Sequence, residues 1–407
     1  MKAIVQVFLR NENTKATKVF YLLGFLSFFL MCLTILLFSN NSLHLLYYVF
    51  FAAFAICTAV RCVLKKQFSL YIRDFIALLF LLCVTVSKIL NPSSAFSTTP
   101  YSVVAIYIVC NHFIDRNNFN YILYIMHLAF LIFLIVFVIY YRNNILALDF
   151  QARIGNFFQN ENTVGYYFVY GFSLCLWFSS KKKFALLWLI PAFADVLMIL
   201  YTGSRSSLLI VIVLTIVFLF SLFRLKYWWL PTIIMISSAI IIIMLLNIPA
   251  LSSFSSRISK LLSGDDTSLL ERMMLLKEGL FMFVSKPLIG WGYNGMRSVS
   301  TGHLFAHNNF VQLLADFGIF GFLLFESLLF LPIIKMIGGV KKRALNEPVF
   351  LFLSLIIPLF MIQFFYANYQ LKFEYIFLSI VGVLTYNRSI LYNNNAFRNV
   401  SCYECNI

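Results

Sequence analysis

The residues of this chain best suited to chemistry sit at the edges of apolar runs. His307-Asn308-Asn309 opens the stretch HNNFVQLLADFGIFG, after which the chain stays largely apolar for about two dozen residues. An imidazole at that lip is either a boundary residue or a group facing a substrate at a membrane surface. Arg205 lies in TGSRSSLL, between two apolar runs joined by only a few residues. A guanidinium placed deep in hydrocarbon costs roughly 2.5–3.5 kcal/mol, so an arginine held at the boundary calls for a role. Its donors grip phosphate oxygens two at a time, which suits an anionic head group. Arg153, in RIGNFFQNEN, is either an interface anchor or part of such a site. Asn160, Glu161 and Asn162 beside it make a dense polar patch before the next apolar run.

The elements that must position these groups follow from composition. Hydrophobic residues make up 62% of the chain and charged ones 11%, too little charge for a soluble domain of this length. Apolar runs long enough to cross a hydrocarbon core recur throughout. They lack period-two alternation, which excludes a barrel and leaves helices. The expected architecture is an all-α polytopic membrane protein of about twelve spans: 19–38, 43–60, 70–90, 98–114, 120–141, 163–180, 184–202, 206–223, 228–247, 309–333, 348–366 and 372–387.

Basic residues orient the bundle. With the N-terminus cytoplasmic, the inside segments collect Lys15 and Lys18, Arg61, Lys65 and Lys66, the Lys181-Lys182-Lys183 run and the Lys341-Lys342-Arg343 cluster, while the short outside loops are nearly bare. Both termini are therefore expected in the cytoplasm. The net charge of +16 marks loops near anionic lipid, not a nucleic-acid partner. The first apolar run is too long for a cleavable signal peptide and lacks a small-residue cleavage site. Six cysteines lie in or at the edges of spans, and Cys402 and Cys405 form a lone CxxC in the tail without the second pair a zinc site needs. The organisation reads as a cytoplasmic N-terminus (1–18), nine spans (19–247), a large outside loop (248–308), three spans (309–387) and a cytoplasmic tail (388–407).

Two outside segments exceed a simple turn, 142–162 and 248–308, and long ordered loops usually carry function. In the second, Ser268 and Glu271 have the spacing of a capping box. The following RMMLLKEGLFMFV is long enough for about four helical turns, and its apolar content fits a helix lying in the interface plane. Lys286-Pro287 stops it. Gly290, Gly292 and Gly295 in PLIGWGYNG suit a tight turn with close backbone approach. Arg257, Lys260, Arg272, Lys277, Lys286 and Arg297 gather in this loop, where long loops escape the inside bias. The outside loops hold no carboxylate cluster with magnesium or manganese spacing. Of the remaining ionisable residues, Asp195 is expected to pair with a hydroxyl or a neighbouring helix, with a proton relay as the other option. His112 and His127 are expected to pack or mark boundaries. Glu326 and Glu374 have no visible partner.

TGSRSSLL, ERMMLLKEGLFMFVSKPLIGWGYNG and HNNFVQLLADFGIFG, in this order around a large outside loop, resemble the O-antigen ligase and polysaccharide polymerase superfamily of bacterial membrane glycosyltransferases. The resemblance rests on His307-Asn308, nine residues, Gly318, two residues and Gly321. RIGNFFQNEN is similar to a further motif of that family, with Glu161 where the family usually has proline. The motifs cover about residues 150–333; the first 140 residues match only as a run of spans.

The resemblance implies a GT-C-like fold and a polyprenyl-diphosphate-linked glycan donor at the outer face of the bacterial plasma (inner) membrane. It implies no metal and no other cofactor, with Arg205 and Arg272 neutralising the departing diphosphate. It implies His307 as the base that takes a proton from a sugar hydroxyl, or as the group that holds the acceptor. Arg153, Asn162 and Asn308 follow as substrate-binding residues. Membrane lipid, a chain-length regulator and a flippase of the same pathway follow as partners. Polymerase, joining a growing glycan to a lipid-linked repeat unit, is the expected activity. O-antigen ligase, acting on lipid A–core, is the alternative. A transporter of the same lipid would show mid-membrane ionisable groups and inverted repeats, and only Asp195 and His127 lie at depth.

Overall fold

The computed structural model describes residues 15–38, 42–65, 70–92, 94, 97–115, 117–147, 153–180, 185–223, 267–299, 305–339 and 347–386. Several expectations lie outside these residues: the span at 228–247, the first part of the large loop, His303, the lysine clusters at 181–183 and 341–343, and the tail with Cys402 and Cys405.

The described residues form helices and no strand. In chain order these are α1 (Lys15–Leu37), α2 (Leu46–Lys65), α3 (Ile72–Leu90), α4 (Thr99–Phe113), α5 (Phe119–Tyr140), the short α6 (Arg142–Leu146), α7 (Glu161–Ser180), α8 (Ala185–Thr202) and α9 (Arg205–Phe223). After the large gap come α10 (Thr267–Ser285), the short α11 (Gly295–Val299), α12 (Asn309–Gly339), α13 (Glu347–Ile362) and α14 (Lys372–Tyr386). Four helices are by themselves long and apolar enough to cross a bilayer, at Ala16–Leu37, Leu46–Lys65, Phe119–Tyr140 and Asn309–Ile337. Shorter apolar helices lie at Leu187–Thr202, Arg205–Ser221 and Val349–Ile362. The protein is an all-α polytopic membrane protein.

Two helices form the centre. Every residue of α7 from Thr163 to Ser179 is buried, as is every residue of α14 from Phe373 to Thr385. A helix apolar on all sides belongs inside a bundle, and these two are surrounded by α4, α5, α8, α9, α12 and α13. Glu374 does have a partner: it accepts a 2.6 Å hydrogen bond from Tyr170, tying α14 to α7. Asp195 of α8 rests on α7 at Gly171, where a Cβ would come within 2.9 Å of its Oδ2. His127 packs between Phe178 and Trp188, and His112 Nε2 lies 3.3 Å from Asp74 Oδ2.

The expectation of a single straight span from 309 needs correcting. α12 breaks at Gly318, whose φ of 65° and ψ of −165° are non-helical. Twelve residues of straight helix advance about 18 Å, yet the rings of Phe310 and Phe322 are 6.3 Å apart. Phe360 touches Phe310 at 6.4 Å and Phe330 at 6.1 Å. The arm 309–317 therefore folds back along the arm that begins at 319.

A break inside a helix strands backbone donors and acceptors, and the loop 287–292 satisfies them. Trp291 and Gly292 donate to the Ala315 and Asp316 carbonyls at 3.0 and 2.7 Å. Ile319 and Phe320 donate to Pro287 and Leu288 at 2.8 and 3.4 Å. Ser87 and Asn91, at the end of α3, hold the loop from behind through the Ile289 and Gly290 carbonyls. The helix before this loop, α10, ends at Ser285, just before the Lys286-Pro287 stop. It begins at Thr267, one residue ahead of the serine of the capping pattern. Leu275 and Met282 on one side pack against Ala315, while Met274, Phe281 and Val284 are exposed on another. A folded loop helix with a bare apolar stripe fits the interface plane.

Candidate functional site

The α8–α9 connection is only Gly203 and Ser204. Gly203 takes a left-handed φ of 64°, which ends α8, and Ser204 caps α9 by accepting from the Ser207 amide at 3.4 Å. Arg205 is thereby the first residue of α9, at the positive end of the helix dipole, where anions are favoured. Gly165 of α7 lets this turn come close; a Cβ there would lie 2.5 Å from Ser207 Oγ.

Arg153 reaches the same turn. Its Nε donates to the Thr202 carbonyl, and its Nη2 donates to Asn162 Oδ1, both at 3.3 Å. The RIGN segment is pinned further by the Ile154 amide, which donates to the Tyr201 carbonyl at 3.3 Å. Arg153, Asn162 and the start of α9 thus form one cluster from three separate stretches of chain.

Beside it, Tyr166 of α7 and Ser206 of α9 share a hydrogen bond of 2.9 Å. The charge of Arg272, on α10, acts on the Tyr166 hydroxyl. Tyr366 packs edge-on against Tyr166, with ring centroids 6.1 Å apart. The Arg272 charge also acts on His307.

His307 is half-buried and has a left-handed φ of 50°, which is uncommon for a residue with a side chain. Burial first, and the Arg272 charge second, hold its pKa below the ordinary value of 6.5. The ring is neutral at neutral pH and able to accept a proton. Asn308 has a structural job: its Oδ1 accepts from the Val311 amide at 3.1 Å and caps α12. His307 sits just ahead of the fold-back arm 309–317, not at the start of an unbroken helix.

The structure thus joins Arg153 and Asn162 at the turn before α9, and the Arg272 charge acts on both Tyr166 and His307. It adds residues that the sequence reading passed over. Tyr166 looks like any tyrosine of an aromatic-rich span, and Ser206 like a loop serine. Gln312 and Asp316 stand in the same motif as His307, one helical turn apart on one face, and that spacing was their signal. Among the described residues no three side chains of metal-ligating type come together. The chemistry available is a guanidinium at a helix N-terminus, and a neutral imidazole that feels the charge of a second guanidinium, Arg272.

Residues 190–325 match the model of the O-antigen ligase family. The match runs from α8 into α12 and contains Arg205, Arg272, His307, Gly318 and Gly321. Over that stretch the chain is similar to the O-antigen ligase family. No curated protein matches the chain.

Proposed function

We propose that this chain is a member of the O-antigen ligase and polymerase superfamily and acts as a polysaccharide polymerase of the bacterial inner membrane, with both termini in the cytoplasm and the site facing outward. Its donor is a growing glycan on polyprenyl diphosphate, and its acceptor is a hydroxyl of a lipid-linked repeat unit. The observation that carries this reading is the turn before α9, where Arg153 bonds Thr202 and Asn162 and Arg205 opens the helix.

In the reaction the acceptor oxygen bonds to the anomeric carbon as the bond from that carbon to the diphosphate oxygen breaks. The hydroxyl proton passes to His307, and the polyprenyl diphosphate departs with the electron pair. Arg205 and Arg272 neutralise the charge that develops on the leaving group, the task of a cation clamp at a phosphoryl oxygen. Guanidiniums fixed in this way need no metal ion. The polar cluster of Arg153 and Asn162 holds the turn carrying Arg205 and offers donors to the sugar next to the diphosphate.

Purified protein in nanodiscs, given lipid-linked repeat unit alone, should build a ladder of longer lipid-linked glycans. Deletion in the source cell should leave single-repeat glycan on lipid A–core. No ladder in vitro, together with bare lipid A–core after deletion, would overturn polymerase in favour of ligase.

A further inference from the structure

His307 hangs between two clamps. Upstream, the Ala306 amide donates to Gln312 Oε1 at 2.9 Å, and Gln312 Nε2 donates to Asp316 Oδ2 at 2.9 Å. Asp316 is held in turn by Tyr369, which donates to Oδ2 at 2.7 Å, and by the Met296 amide, which donates to Oδ1 at 3.0 Å. Downstream, the Asn309 amide donates to the Gln363 carbonyl at 2.7 Å, and Asn309 Oδ1 accepts from the Tyr369 amide at 3.0 Å. Gln312, Asp316 and Asn309 are all fully buried.

The upstream clamp has a defined polarity. A backbone amide only donates and an ionised carboxylate only accepts. The side chain between them must accept at one end and donate at the other, which glutamine does with its two terminal atoms. Glutamate would set oxygen against oxygen, and leucine would leave both neighbours unpaired in a dry place. Between the clamps only His307 and Asn308 span the gap, and His307 takes the left-handed turn. An uncommon backbone conformation persists where its surroundings over-determine it.

We propose that Gln312, oriented by Asp316, is the positioning residue of this centre, holding the Ala306–His307 backbone in the left-handed turn that presents the imidazole. The role rests on the transfer reading given above. Asp316 also ties α11, α12 and the 368–370 turn together, so its loss would confound folding with function. Among the described residues, the Gln312 side chain hydrogen-bonds Ala306 and Asp316, and it is the residue to vary.

The test uses the full-length protein in nanodiscs. Turnover of lipid-linked repeat unit is measured with Gln312→Leu, and His307 is titrated by ¹⁵N-histidine NMR, its signal assigned by loss in His307→Ala. Gln312→Leu should lower kcat by roughly 10- to 100-fold while KM for the lipid substrate stays within about 3-fold, the split expected of lost transition-state alignment. The His307 titration should rise toward the ordinary imidazole value as the ring leaves its buried seat. Wild-type kcat with an unmoved titration would overturn the proposal, even where His307→Ala is inactive and the transfer reading stands. If His307→Ala turns over at the wild-type rate, the transfer role falls. The titration then decides the clamp by itself: a shift upholds it and no shift overturns it. Should Gln312→Leu fail to fold, Gln312→Met, which keeps the side-chain length and removes both hydrogen bonds, decides by the same two readouts.

Discussion

Gly290 and Gly318 interlock backbone against backbone. A Cβ on Gly290 would lie 2.4 Å from the Asp316 carbonyl carbon, and one on Gly318 would lie 2.4 Å from the Leu288 carbonyl. Both residues also have left-handed φ values, 69° and 65°, which cost an L-residue roughly 1–2 kcal/mol before any overlap is counted. Gly290→Ala and Gly318→Ala should each strip out most of the monodisperse protein on fluorescence-detected size exclusion. Gly382→Ala meets only the tip of Arg73, 3.0 Å away, and should stay near wild type. Equal yields for all three variants would remove the docked loop as the support of the fold-back arm.

The arginines should separate by role. Arg205→Lys keeps the charge but loses the planar fork, and Arg272→Ala removes the charge that acts on Tyr166 and His307. Each should reduce polymer formation about 10²–10³-fold at equal protein level, the range for loss of one electrostatic stabiliser. Arg153→Ala, which loses hydrogen bonds to Thr202 and Asn162, should fall less. Activity abolished by a chelator would point to a metal and take the clamp role away from the guanidiniums.

His307→Ala should lose about 10²–10⁴-fold in turnover, the usual share of a general base. His307→Gln distinguishes the two roles, since an amide can hydrogen-bond but cannot take the proton. Near-full turnover in His307→Gln would assign positioning.

The pH profile carries its own sign. The folded pKa of His307 lies below 6.5 because of burial and Arg272, so the neutral base is present above that value. Turnover should be flat through neutral pH and fall as pH drops through the lowered pKa. In Arg272→Ala, whose residual activity is measurable in single-turnover mode, the acid limb should move to higher pH. An acid limb unmoved in that variant would mean that Arg272 does not act on His307.

Orientation can be read by thiol labelling in a cysteine-depleted background. Lys277→Cys, on α10, should react with a membrane-impermeant maleimide added to intact cells, and Lys65→Cys, at the inner end of α2, should not. The reverse pattern would turn the whole site toward the cytoplasm.

The amino-acid sequence alone determined the class and the long apolar helices. A backbone in lipid must satisfy its own amides, so apolar runs of the right length have one outcome, and α1, α2 and α5 follow from it directly. It also exposed Arg205 and His307, because a charge at the hydrocarbon boundary stands out against its neighbours. The stop at Pro287 and the close approach of Gly290 were legible too, since both are properties of single residues. The fold-back at Gly318 was not. Hydropathy sums side chains, and the side chains of 309–339 read as one continuous span. The helix breaks because the Pro287 and Leu288 carbonyls and the Trp291 and Gly292 amides replace its missing hydrogen bonds, and those groups arrive from a loop more than twenty residues upstream. Likewise, Tyr166 and Ser206, or Gln312 and the Ala306 amide, are polar groups whose partners are set by which segments touch. Which helix faces which is a property of three-dimensional packing, and only the tertiary structure decided that Arg153 holds the turn before α9 and that Gln312 holds Ala306.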